Sequence, residues 1–176
     1  MVMSLNYIRV FLVVFFACMT ASCQKELPSL EELEGLYKYT FPNMLMDGTE
    51  YTSANRLVLF QTSPHALYFD THLDWANGHS CDLSGIAELD QKSQRTLVYS
   101  VPSNSGKTCT FTINLKTNKL VFGDSDGVCR LLSCGNRGML DGVEFQYNTR
   151  EKIKPADIKK TPGFKRATQE YFESGK

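Results

Sequence analysis

Four short stretches hold the residue types that do chemistry. In Asn77-Gly78-His79-Ser80-Cys81 a histidine stands beside a serine, with Asp70, Asp74 and Asp82 close in sequence. Serine hydrolysis needs a nucleophile, a base and an orienting acid brought together. However, Asn-Gly is a hairpin turn dipeptide and no Gly-x-Ser-x-Gly elbow exists, so His79 reads as a turn residue and no catalytic residue is assigned. In Asp124-Ser125-Asp126-Gly127, alternating carboxylates before a glycine resemble the opening of a calcium loop. The bidentate glutamate that completes such a loop is missing, so a tight turn is the better reading and no metal is assigned. The run Cys129 to Gly142 is the most distinctive, with two cysteines, several glycines, Arg130, Asn136 and Arg137. Arginine and asparagine beside exposed Leu or Met make good interface chemistry, and a cross-over pinned by disulfides is the competing reading. Ser103-Asn104-Ser105-Gly106-Lys107 lacks the Gly-x-x-x-x-Gly-Lys spacing of a phosphate loop and precedes a strand. It reads as a hairpin connection, with Ser103, Ser105 and Lys107 as candidate binding residues. No cofactor is implied by any of the four, and no enzymatic activity is expected.

The cysteines place these stretches in a compartment. Of six, Cys18 falls in the apolar run Val10–Met19, which follows Arg9 and precedes the small residues Thr20, Ala21 and Ser22. Ten apolar residues are too few to span about 30 Å of hydrocarbon, and Lys25 and Glu26 follow, so residues 1–23 read as an export signal. Thr20-Ala21-Ser22-Cys23 resembles the lipobox of bacterial lipoproteins. That resemblance implies a lipidated Cys23 as the mature N-terminus and membrane attachment through the lipid. Gln24 in place of Asp implies sorting to the outer membrane, facing the periplasm. Cys81, Cys109, Cys129 and Cys134 remain, an even number in an oxidising compartment, and two disulfides are expected. Pairing Cys109 with Cys129 leaves Cys81 for Cys134; a local Cys129–Cys134 bridge is the other reading.

The elements that must carry these stretches are strands. Leu67, Phe69, Leu73 and Trp75 alternate with Tyr68, Asp70, His72 and Asp74. The same period of two recurs at Cys81, Leu83, Gly85, Ala87 and Leu89, and at Cys109, Phe111, Ile113 and Leu115. Further strands are expected at Leu36–Phe41, Arg56–Gln61, Thr96–Val101, Lys119–Phe122 and Val143–Tyr147, separated by Asp47-Gly48, Asn77-Gly78, Ser105-Gly106, Thr117-Asn118 and Asp126-Gly127 turns. About eight short strands without helical segments between them predict an all-β domain, a small antiparallel barrel or sandwich. The organisation is a signal over residues 1–23, a tether over 24–35 that holds a Ser29/Glu32 capping box, a β-domain over 36–149, and a basic tail over 150–176. The tail is expected to be weakly structured, or helical over Phe164–Glu173.

A lipid-anchored, disulfide-bonded small β-barrel of the envelope resembles the periplasmic and membrane-bound lysozyme inhibitors of bacteria. In that family, loops rich in Ser, Gly and basic residues enter the lysozyme cleft. The resemblance is architectural, spans roughly Leu36 to Tyr147, and carries no residue over. It implies a binding protein, an inhibitor or immunity-type partner of a hydrolase. A structural or small-ligand carrier lipoprotein is the alternative, and it requires an interior cavity. Charge sharpens the picture. The 19 bases and 19 acids cancel over the chain, yet residues 24–149 carry 10 bases against 15 acids and residues 150–176 carry 8 against 4. An acidic β-domain excludes general nucleic-acid binding, which needs a surplus of bases. The tail has the charge to touch anionic lipid or peptidoglycan, or to fold back on the barrel.

Overall fold

Leu67, Phe69, Leu73, Cys81, Ala87, Phe111 and Ile113 are all buried, so the period of two read from the sequence faces them into one core. The computed structural model of the protein describes residues 27–103, 106–134 and 137–175. The signal, Cys23, Ser105 and Asn136 lie outside the described residues. Ser29 and Glu32 form the expected box: the Ser29 N–H donates to Glu32 Oε2 (2.8 Å) and the Glu32 N–H to Ser29 Oγ (3.3 Å), setting up a 3-10 turn over Glu31–Leu33. Then follow β1 (Gly35–Met44), β2 (Glu50–Ser63), β3 (Ala66–Trp75), β4 (His79–Leu89), β5 (Thr96–Pro102), β6 (Thr108–Leu115), β7 (Lys119–Gly123), α1 (Val128–Ser133), β8 (Glu144–Gln146), β9 (Arg150–Glu151), α2 (Pro155–Lys160) and α3 (Pro162–Glu173).

All strands belong to one antiparallel sheet in the order β8-β7-β6-β5-β4-β3-β2-β1-β9. Its two edge strands, β8 and β9, are joined only by a 3-10 turn over Tyr147–Thr149. So short a connection forces the edges together, and the sheet curls into a nearly closed barrel. Across the closure, the ring centroid of Tyr39 on β1 lies 5.6 Å from that of Phe145 on β8. From there an aromatic chain crosses the interior. Phe145 meets Phe122 at 5.5 Å, Phe122 meets Phe111 at 4.9 Å, and Phe111 stacks on Phe69 at 5.3 Å. Each such pair adds about 0.5–1.5 kcal/mol beyond the area it buries.

Two of the differences from the sequence reading lie in the barrel wall and in the tail. β2 starts six residues before Arg56, because Ser53 and Asn55 are buried polar residues that break the apolar period. Their polar atoms are satisfied. Asn55 Oδ1 accepts the Asp74 N–H (2.8 Å), Asn55 Nδ2 donates to Tyr39 Oη (2.7 Å), and Ser53 Oγ accepts from Asn43 Nδ2 (3.0 Å). Buried polar groups are tolerated when partnered in this way.

The second difference is the tail. Its helical reading holds and its weakly structured reading does not. Arg150 and Glu151 pair with Tyr37 and Leu36 as β9, and two helices follow. Thr161 caps α3, its Oγ1 accepting the Phe164 N–H (3.2 Å), and Pro162 occupies the first turn, where its missing donor costs nothing. The outward residues Phe60, Tyr68 and Ile86 are buried under the tail by Ile158, Phe164, Ala167 and Tyr171. Phe164 meets Phe60 at 5.7 Å and Tyr68 at 5.2 Å, both edge-on. Gly163 is required here, since a Cβ would stand 2.8 Å from Tyr68 Oη. Tyr68 therefore lies under a helix rather than on a wet face.

Candidate functional site: the loop end of the barrel

Strand direction sorts the connections. β1, β3, β5 and β7 all finish at one end, so the turn after Met44, the Ala76–Gly78 turn, the loop over 103–107 and the cross-over 124–142 gather there. The Glu31–Leu33 turn, through which the chain arrives from the tether, lies at the opposite end, before β1.

The cross-over is built on Asp124, which is only 3 % exposed. Its Oδ1 accepts the Cys129 N–H (3.1 Å) and its Oδ2 the Arg130 N–H (2.8 Å), while Asp126 Oδ1 accepts the Val128 N–H (3.1 Å). These carboxylates satisfy free amides at the start of α1, so Asp124-Ser125-Asp126-Gly127 is a turn that caps a helix. Gly127 supplies the left-handed φ of +67°. Burial raises the Asp124 carboxyl above its usual range, and the two backbone donors oppose that shift.

Two disulfides fix the cross-over to the barrel, Cys109–Cys129 to β6 and Cys81–Cys134 to β4, with Cα separations of 4.7 and 4.0 Å. This selects one of the pairings the spacing allowed and removes the local Cys129–Cys134 bridge. Gly138 packs directly on the second disulfide, where a Cβ would collide with Cys81 Sγ. The helix α1 itself has no signal in the sequence beyond Asp124. At six residues it is too short to show a periodicity.

Arg130 is half-buried in α1, and Arg137 and Lys107 are exposed at the same end. The 103–107 loop is the expected hairpin connection: the Ser103 N–H donates to the Lys107 carbonyl (2.8 Å) and the Gly106 N–H to the Ser103 carbonyl (3.1 Å). What sequence reasoning missed is the apolar character of the end. Met44, Leu45 and Met46 on the first turn and Leu131, Leu132 and Met139 on the cross-over are exposed, Met46 to 84 % and Leu131 to 70 %. Among the described residues, the other large apolar side chains so exposed are Tyr39 and Phe172. Scattered apolar residues on a surface mean little, but a concentration on one set of loops makes that end the candidate contact surface. A signal existed in Met44-Leu45-Met46-Asp47-Gly48, where three large apolar residues enter a turn that polar residues usually fill.

The histidine arrangement also differs from the one weighed in the sequence. His79 faces Trp75 across the β3–β4 turn, in which Asn77 and Gly78 take positive φ. His72 is the imidazole that meets carboxylates, Nδ1 to Asp82 Oδ1 at 2.6 Å and Nε2 to Asp74 Oδ1 at 3.1 Å. Ser80 Oγ lies 3.5 Å from Asp82 Oδ2, so the hydroxyl is set against a carboxylate. Among the described residues no group of three or more His, Cys, Asp or Glu is arranged to hold a metal ion. No protein-family model and no curated protein sequence matches the chain.

Proposed function

We propose that the protein is a lipid-anchored binding protein of the cell envelope, held to the outer membrane through Cys23 and engaging a protein partner with the loop end of its barrel. Within that class, an inhibitor or immunity-type partner of an envelope-attacking hydrolase such as lysozyme fits best. The observation that carries the reading is the concentration of exposed Met and Leu side chains on two disulfide-braced or tightly turned loops, opposite the end where the tether enters. Anchored at Cys23, a barrel whose first strand alone runs ten residues, about 33 Å at the usual rise, presents those loops well away from the bilayer. Lys107, Arg130 and Arg137, at the same end, supply donors for a partner's carboxylates. The carrier alternative requires an interior void, and the buried aromatic chain from Phe145 to Phe69 lies in that space.

Inhibition of c-, g- and i-type lysozymes by the mature chain tests the inhibitor form. Inhibition of at least one class is expected, with loss on Leu131→Asp; no inhibition of any class rejects lysozyme as the target. Cell fractionation tests the anchor. Cys23→Ala is expected in the soluble fraction, and its retention in the membrane fraction rejects lipidation.

A further inference from the structure

The barrel wall has a seam. β3 and β4 pair at ten positions, but β4 and β5 pair only at Glu88 with Val98 and Leu89 with Leu97. Continuing that register would set Ile86 opposite Ser100 and Ser84 opposite Pro102, and there the ladder has already ended. Nearer the loop end, β4 makes only an isolated bridge, Cys81 with Cys134. Between these points Asp82–Ala87 is laddered to β3 alone, and Tyr99–Pro102 to β6 alone. Unpaired main-chain donors and acceptors on a strand edge are a template for another strand.

Side chains fill the inside of the seam, and on its outside Ile86 lies under α3 while Ser84 is half-buried and Asp82 exposed. The Tyr99 ring lies edge-on to Phe69 at 5.2 Å and covers Gly85, where a Cβ would collide with it. Outside the ring, two adjoining grooves of about 560 and 370 Å³ share Tyr99, Val101 and Glu170 and run from Leu132 of α1 to Ser174 beyond α3. Helix α3 forms the outer wall. The charged residues along the grooves are Asp70, Asp82 and Glu170 against a single Arg166, whose Nη2 donates to Ser84 Oγ at 3.5 Å.

We propose that this seam is a strand-addition site, in which an extended segment of a partner protein, basic at alternate positions, pairs with the free edge of β4 over Asp82–Ala87. The free backbone edge selects an extended main chain, and the exposed Glu170, with Asp70 and an Asp82 shared with His72, selects Lys or Arg on the side chains that face them. The alternate side chains of such a strand face Tyr99 and Val101 and are apolar. The site lies on the barrel side and does not depend on the loop-end reading.

The test is amide hydrogen exchange on the full chain with the peptide Lys-Val-Lys-Val-Lys-Val-Lys. Slower exchange over Asp82–Ala87 is expected. The control Lys-Pro-Lys-Pro-Lys-Pro-Lys has the same charge but lacks the N–H donors at its alternate positions, and no such slowing is expected with it. Glu170→Gln, an exposed change that spares the fold, is expected to weaken the valine peptide about two- to fivefold, the scale of one exposed charge pair. Unchanged amides, or equal protection by the proline peptide, overturn strand addition. Full affinity in Glu170→Gln overturns the choice of a basic occupant.

Discussion

The two ends of the barrel are built from different chemistry. At the tether end the connections are short and close on themselves with polar groups. Asp90 accepts the N–H groups of Lys92 and Ser93 (both 3.2 Å), the Lys116 N–H donates to the Lys119 carbonyl (2.9 Å), and the turn over Tyr147–Thr149 joins two strands in three residues. At the loop end a long cross-over is braced by two disulfides and a buried carboxylate, yet leaves large apolar side chains in water. Turns that only reverse the chain need local hydrogen bonds and nothing more. The loop end spends covalent bonds to hold exposed Leu and Met in place, and a rigid apolar surface binds at lower entropic cost than a mobile one.

The largest expected effect comes from removing that bracing. The Cys81–Cys134 and Cys109–Cys129 bridges close segments of 53 and 20 residues, which chain-entropy arguments put at about 4 and 3 kcal/mol. Calorimetry on a Cys81→Ser/Cys134→Ser variant is expected to show a Tm lower by ten degrees or more. An unchanged Tm removes the claim that the cross-over is braced.

Next is the cap. Asp124→Ala strips the acceptor from two amides and is expected to cost about 1–2 kcal/mol in denaturant unfolding. Its pH dependence follows from the raised carboxyl. The folded chain holds that proton more tightly than the unfolded one. Asp124 therefore favours the fold most at pH below the ordinary aspartate range, and its contribution declines as pH rises from there through the raised folded value. Asp124→Asn, measured in parallel, is expected to flatten that part of the stability–pH curve.

Of similar size, Phe164→Ala uncovers Phe60 and Tyr68 and is expected to cost about 2 kcal/mol, less than a fully buried ring because Phe164 is only half-buried. The smallest effect on folding belongs to Leu131→Asp and Met46→Asp, which are expected to stay within about 0.5 kcal/mol of wild type while abolishing partner binding. A large loss of stability there would mean that these side chains support the fold and are not a contact surface.

Much of the fold is legible in the residues. The alternation through Leu67–Trp75, Cys81–Leu89 and Cys109–Leu115 gives strands and inward faces together, because a half-buried sheet writes its period directly into the sequence. The mouth of the barrel is less legible. Ser53 and Asn55 point inward as polar residues, and their partners on β1 and β3 are distant in sequence. Tyr68 and Ile86 sit on the polar parity of their strands, and only the docking of α3 shows why they are apolar. Of the candidate site, Arg130 is half-buried on α1, and Arg137 and Lys107 are exposed at the same end. The exposed Met44–Met46 and Leu131–Leu132 pass for core residues until the topology places them, since apolar type alone does not tell burial from display.

The most direct test of the loop-end claim is site-specific photo-crosslinking in the intact envelope. A photoreactive residue is placed in turn at Met46 and Leu131 on the loop end and at Lys92 and Thr117 on the tether end. Discrete protein adducts from the first two positions and none from the second two are the expected result. Adducts confined to Lys92 and Thr117, or equal from all four positions, contradict the assignment of the loop end as the surface that binds.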